Sequence, residues 1–309
     1  MNAVTTAAPS ESPEQRRFSP LRRRQWSRRL PLLPALTFTI VVTQLPFLVT
    51  IWYSLHRWDF LKPGSFSWTG FENYTKPLSD QFFRAAVWHT VLITVGTVVI
   101  ACTLGTVLAL LLDKPFFGQG FIRTLLITPF LIMPVAASLI WRHGFLDATY
   151  GFLNWIVSSL GFGRTAFTSK FPLFSVILVL VWQWTPFMML IILAGLQSQT
   201  ADVLEAARVD GASSLQMFRS LTLPHLRSYL ELGALLGSIY LVQTFDTVDQ
   251  LVGGAPDARN VPYYIYQRSI GGGWKFGQAS AYGVVVVVAT IVIANLALRL
   301  ISTLLEDAK

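Results

Sequence analysis

The sequence predicts an all-α membrane protein: six transmembrane helices, with a short pair of helices projecting on the cytoplasmic side. Three observations predict it. The 309 residues are 53% hydrophobic and only 13% charged, about half the charged share of an ordinary soluble domain. The charges gather between apolar blocks rather than spreading along the chain. One interval between blocks, 197–227, reads as polar helix instead of apolar span.

A bilayer core about 30 Å thick takes about 20 mostly apolar residues per helix. Six segments meet that length: 30–55, 85–112, 121–141, 171–196, 229–247 and 278–301. The first is too long for the apolar core of a cleaved signal and no small-residue cleavage site follows it, so it reads as a retained anchor. Pro46, Pro129, Pro134 and Pro186 fall inside spans. A bundle tolerates them because neighbouring helices satisfy the freed carbonyls.

Orientation follows from charge. Arg16, Arg17, Arg22, Arg23, Arg24, Arg28 and Arg29 precede the first span, which places the N-terminus in the cytoplasm. Six spans return the C-terminus to the same side. Loops 113–120 and 197–227 then face the cytoplasm, and 56–84, 142–170 and 248–277 face outward. Trp52, Tyr53, Trp58, Trp141, Tyr263 and Tyr264 suit an interfacial belt. The organisation expected is a basic, disordered tail over 1–29, a six-span membrane domain over 30–304 that holds the cytoplasmic loop 197–227, and a short cytoplasmic end at 305–309.

Several function classes drop out. Lys and Arg outnumber Asp and Glu by 24 to 16, but the arginine run carries no interleaved stacking aromatics, so it reads as a topology signal and not as a nucleic-acid site. The single cysteine, Cys102, excludes an internal disulfide. His56, His89, His143 and His225 are scattered without metal-ligand spacing. No phosphate-loop motif and no acyl- or phosphoryl-transfer constellation is present, so no catalytic residue, metal or cofactor is assigned to this chain.

The insert is the informative part. Thr200 can cap a helix that starts at Ala201, with Asp202 in its first turn. Gly211 stands where a left-handed residue would end that helix. Ser213 and Gln216 have capping-box spacing for a second helix through Leu215, Met217 and Phe218, until Pro224 stops it or marks the return to the membrane. Small alanines allow close approach, and Glu205, Arg208, Asp210 and Arg219 can fix a partner's orientation. The residues alone leave two readings open: docking onto a soluble partner, or packing against the protein's own bundle.

Glu205-Ala206-Ala207 with Asp210-Gly211, then Phe218, Leu221, Leu223 and Pro224, resembles the E-A-A-x-x-x-G-x(9)-I-x-L-P signature. That signature belongs to permease subunits of binding-protein-dependent ABC importers. Leu221 replaces the usual isoleucine. The stretch from Trp68 to Tyr74 (WTGFENY) is similar to an outer-loop element of carbohydrate-type permeases, as is Gly253-Gly254-Ala255-Pro256. The run from Ala109 to Gly120 and the stretch Val181-Trp182-Gln183-Trp184-x-Pro186-Phe187 resemble the sorbitol/mannitol (polyol) branch of the maltose-type permeases.

The resemblance implies a type I ABC importer permease fold in the bacterial cytoplasmic membrane. It implies a heterodimer with a second homologous permease, two ATP-binding subunits and an extracytoplasmic solute-binding protein, with ATP and Mg held by the partner ATPase. The implied ATPase-coupling residues are Glu205, Ala206, Ala207, Asp210, Gly211, Phe218, Leu221, Leu223 and Pro224. For the solute path, the polar and aromatic span residues Trp182, Gln183, Trp184, Tyr240, Gln243 and Asp246 are candidates. For any one of them, helix–helix hydrogen bonding or interfacial anchoring weighs more. Tyr240, Gln243 and Asp246, spaced at three, are expected near one helix face. The rival readings are an ion-gradient secondary transporter, which would usually carry mid-span carboxylates, a membrane-embedded enzyme or assembly scaffold, and a permease for a solute that is not a carbohydrate.

Overall fold

The computed structural model describes residues 32–306, without the side chains of Lys76, Leu78 and everything beyond Val292. The tail 1–29 with its arginines, and residues 307–309, lie outside the described residues. The chain divides into two compact units, 1–50 and 51–309.

Helix α1 (Leu33–Ser54) begins in the first unit. Thr39, Thr43 and Thr50 each donate a hydroxyl to the carbonyl four residues back, which hides polar groups inside an apolar helix. Then come β1 (His56–Arg57) and β2 (Ser67–Trp68), paired antiparallel with His56 opposite Trp68. Next are α2 (Glu72–Ser79) and α3 (Gln81–Asp113). After α3 follow α4 (Gln119–Leu131), α5 (Pro134–Leu139), a π-helical turn Ile140–Phe145, α6 (Phe152–Ser159), α7 (Phe167–Lys170) and α8 (Pro172–Gln197). The insert contributes α9 (Ala201–Val209) and α10 (Ser214–Met217), and a π turn Phe218–Thr222 leads into α11 (Leu223–Val242). The chain closes with α12 (Asp246–Val252), a 3-10 turn, α13 (Val261–Arg268) and α14 (Phe276–Glu306).

The core lies where α3, α8 and α11 meet. Met188 and Met189 of α8 are fully buried against Ala101 and Ala109 of α3 and Leu226 of α11. Gly105 makes this closeness possible: a Cβ there would sit 2.8 Å from the Met189 backbone nitrogen. Helices α1, α3 and α8 are each long and apolar enough to cross a membrane, and α4 with the α5 segment does so as a pair bent by 94°. Helices α11 and α14 run for 20 and 31 residues.

Two expectations are corrected, and one left open is decided. Segment 121–141 is not one kinked helix but breaks between Leu131 and Pro134. Met133 precedes a proline and is extended (φ −57°, ψ 135°), and Pro134 opens α5 where its missing N–H costs nothing. Segment 229–247 is not one helix either. It ends at Val242, and a new helix starts at Asp246. Of the two outcomes open at Pro224, it does not stop the second insert helix but stands in the first turn of α11, where the chain rejoins the bundle. The preceding turn widens so that the Leu223 N–H donates to Phe218, five residues back, and the helix passes through.

At the end opposite the insert, long-range polar contacts knit the loops. Asn73, 3% exposed, donates to the carbonyls of Ser54 and His56. Asp80 caps α3 by accepting from the Phe82 and Phe83 amides. The same carboxylate accepts from the hydroxyls of Tyr264 and Tyr282 and pairs with Arg268 at 2.9 Å. Asn154 gathers the carbonyls of Asp147 and Thr165 and receives the Thr165 amide.

Candidate functional site

The insert is built as a bent prong. Thr200 holds the N-cap position of α9 with extended backbone, but its hydroxyl makes no capping bond, so the cap reading fits in place and not in chemistry. Asp202 remains in the first turn, where the helix dipole favours it. Gly211 has φ +83°. Around it the Ala212 N–H donates to Ala207 C=O at 3.0 Å and the Gly211 N–H to Arg208 C=O at 3.1 Å. These are the two bonds of a Schellman stop. Nothing lies within 4 Å of a Cβ placed on Gly211, so a side chain there would cost backbone strain and not a clash. The capping box on α10 is complete: Ser213 N–H to Gln216 Oε1 at 2.8 Å, and Gln216 N–H to Ser213 Oγ at 3.3 Å.

The prong shows its surface outward. Glu205, Ala206, Asp210, Gly211, Leu223 and Pro224 are exposed, and Ala207, Phe218 and Leu221 are half-buried. Val209 is 87% and Leu215 75% exposed. Among the described residues Glu205, Arg208, Asp210 and Arg219 have no ion-pair partner. Asp210, Gly211, Gln216, Met217 and Leu221 help line an open groove of about 450 Å³ on the inside of the bend.

The second region is a cavity of about 540 Å³ between the two helix breaks. One break contributes Phe130, Ile132 and Pro134, the other Gln243, Thr244, Phe245 and Asp246, with Gln183, Trp184 and Phe187 of α8 between them. Gln183 is 4% exposed and donates its Nε2 to the Ile132 carbonyl at 2.8 Å. That carbonyl loses its helical partner at the Pro134 break, so the glutamine satisfies a polar group inside the bundle. Trp184 forms the aromatic wall, with ring centroids 5.6 Å from Phe130, 5.5 Å from Phe187 and 5.7 Å from Tyr240.

Five of the six path candidates, Gln183, Trp184, Tyr240, Gln243 and Asp246, line this one cavity. Trp182 does not; it packs edge-on against Trp141 in the core, 5.7 Å between centroids. The convergence of Tyr240, Gln243 and Asp246 comes from the break after Val242 and not from one continuous face. Phe130, Phe187, Thr244 and Phe245 were missed as lining residues. Pro129 and Pro134 mark the first break in the sequence, and nothing comparable marks the second.

Asp80 carries a perturbed carboxyl. Burial pushes its pKa up, but the hydroxyls of Tyr264 and Tyr282 and the amides of Phe82 and Phe83 outweigh burial and hold it below the ordinary value of 3.8.

Apolar spans, one of them a bent pair that borders an aromatic cavity, and an outward-facing helical prong define an all-α, multi-pass membrane protein. A family model described as binding-protein-dependent transport system inner membrane component matches residues 101–308. The probable ABC transporter permease protein y4oQ of Sinorhizobium fredii is 37% identical over 241 residues, 77% of this chain and 78% of that protein. The trehalose/maltose transport system permease protein MalF of Thermococcus litoralis is 34% identical over 233 residues, 74% of this chain and 77% of that one. A bacterial ABC transporter involved in the import of the acidic polysaccharide alginate has the same fold, with a TM-score of 0.73 at 21% identity over 90% of this chain and 96% of that chain.

The chain therefore belongs to the family of inner membrane components of binding-protein-dependent transport systems. It has the type I ABC importer permease fold and is a non-catalytic transmembrane subunit.

Proposed function

We propose that this chain is the membrane-spanning subunit of an ATP-driven importer that moves a sugar or sugar alcohol into the cytoplasm. It works as a heterodimer with a second permease, above two ATP-binding subunits that hold ATP and Mg, and receives solute from an extracytoplasmic binding protein. Both termini are cytoplasmic, on the side of the prong. The observation that carries this reading is the prong itself. Its Schellman stop at Gly211 and its capping box at Ser213 make a rigid elbow, and its charges lack partners within the described residues.

Coupling needs a stiff connection between the two regions. Helix α11 is one: its first turn continues the prong through the π turn, and Tyr240 near its far end lines the cavity, followed at once by Gln243. Twenty residues span about 30 Å at 1.5 Å each. ATP-driven closure of the partners would displace the prong, and α11 would carry that displacement to the cavity wall, favouring one of two arrangements. The cavity offers what a polyhydroxylated solute requires: flat aromatic faces from Trp184 and Tyr240, amides from Gln183 and Gln243, and the Asp246 carboxylate. The trehalose/maltose relative supports the carbohydrate class, and the motifs around Pro115 and Trp182 support the polyol branch.

Uptake in energised vesicles tests the reading. Transport should persist when ion gradients are collapsed and stop when ATP is depleted. A panel of sugars and polyols on the associated binding protein should find its tightest ligand among them. Uptake that follows the ion gradient would refute the ATP-driven reading, and a binding protein that prefers a solute without hydroxyls would refute the carbohydrate class.

A further inference from the structure

The prong leaves the bundle at the end of α8 and rejoins it at the start of α11, and these two stems are tied side chain to side chain. His225 Nε2 lies 3.0 Å from Ser198 Oγ and 3.1 Å from the Gly195 carbonyl. Ser198 Oγ is 2.9 Å from the Tyr229 hydroxyl and donates to Gly195 C=O at 2.8 Å. One proton arrangement satisfies every contact. Nε2–H points between Gly195 C=O and Ser198 Oγ, the serine O–H donates to Gly195, and the tyrosine O–H donates to the serine oxygen.

A second observation comes from Gly195. A Cβ there would stand 2.7 Å from the Tyr229 ring and 2.9 Å from Leu226 Cδ2. The absence of a side chain at Gly195 is what lets α11 approach close enough for the tie. None of Gly195, Ser198, His225 or Tyr229 belongs to the E-A-A-x-x-x-G or L-x-L-P motif residues.

We infer that Ser198, His225 and Tyr229 form a clasp across the base of the prong, positioning residues that make its two stems move as one body. Without the clasp, a push on the elbow would splay α11 from α8 and be absorbed as local bending. With it, the push reaches the cavity wall. The inference rests on the proposed ATP-driven coupling.

The experiment has two arms. In the full chain in lipid nanodiscs, spin labels at V209C and S228C on a C102S background report the distance from prong to stem. The distribution should broaden in His225→Ala and in the Ser198→Ala/Tyr229→Phe double variant, and narrow again in His225→Gln, whose amide can donate to Gly195. An unbroadened distribution overturns the clasp. In the reconstituted importer, uptake and ATP hydrolysis are measured together. Uptake per ATP should fall by about fivefold or more in the first two variants and recover in His225→Gln, with hydrolysis and ATPase co-purification retained. An unchanged ratio overturns the coupling role of the clasp, as does a parallel loss of hydrolysis, uptake and co-purification. A wild-type complex that shows no ATP-dependent uptake sinks the proposed function, while the spin-label arm still decides whether the clasp exists.

Discussion

The two ends of the molecule manage their polar groups in opposite ways. At the loop end, Asp80, Asn73, Asn154 and Arg268 spend their hydrogen bonds inside the chain, often on residues far away in sequence. At the prong, Glu205, Arg208, Asp210 and Arg219 find no ion-pair partners among the described residues. A finished surface satisfies itself; a surface made for docking keeps its charges available. On the proposed function the prong serves coupling while the loop end serves stability, and substitutions can separate the two.

The largest effect is expected at Asp80. Asp80→Ala strips a shared acceptor from two tyrosines and leaves Arg268 with the Tyr264 hydroxyl but without its carboxylate. The cost should be about 2–3 kcal/mol of stability, below that of a fully buried pair because Arg268 keeps 30% of its side-chain surface exposed. Thermal unfolding in lipid measures it, and uptake per folded molecule should not change. The acid side sharpens the test. A carboxyl with a lowered folded pKa stabilises above its ordinary value of 3.8 and loses that contribution as pH falls through the folded value. Wild-type stability should therefore be flat near neutrality and drop below about pH 4, with a smaller drop in Asp80→Asn.

Gly211→Val comes next and acts at the other end. Valine at φ +83° strains the backbone by about 1–2 kcal/mol. The elbow should reshape without any change in membrane insertion. Uptake should fall by about tenfold or more, with weakened ATPase co-purification. A variant that inserts and transports normally would break the comparison.

The cavity is intermediate. Gln183→Leu leaves the Ile132 carbonyl without its donor, at a cost of about 1–2 kcal/mol. It should raise the solute concentration for half-maximal uptake and leave ATPase co-purification intact. Smallest of all is Leu221→Ile, which restores the commoner apolar residue at a half-buried position. It should stay within about 0.5 kcal/mol in stability and leave uptake unchanged.

What the sequence made legible follows from distance along the chain. The Gly211 stop and the Ser213–Gln216 box are set by residues within five positions, so spacing alone reveals them. Apolar runs reveal spans for the same reason. The break at Pro134 was half legible: the proline marks it, but the donor that satisfies the opened Ile132 carbonyl is Gln183, 51 residues further along the chain. The break after Val242 has no proline or glycine to announce it, so Tyr240, Gln243 and Asp246 were grouped correctly for a wrong geometric reason. The Asp80 hub joins residues 184 to 202 positions apart and leaves no local trace. His225 was set aside as one of four scattered histidines, because its partner Ser198 lies 27 residues back across the prong.

The central claim, that the exposed prong seats in an ATP-hydrolysing partner, is tested most directly by photo-crosslinking in working vesicles. A crosslinker at Ala206, exposed on α9, should form an adduct with the ATP-binding subunit, and its yield should change between nucleotide-free and ATP-bound conditions. Vesicles that import solute while Ala206 yields no such adduct would contradict the account.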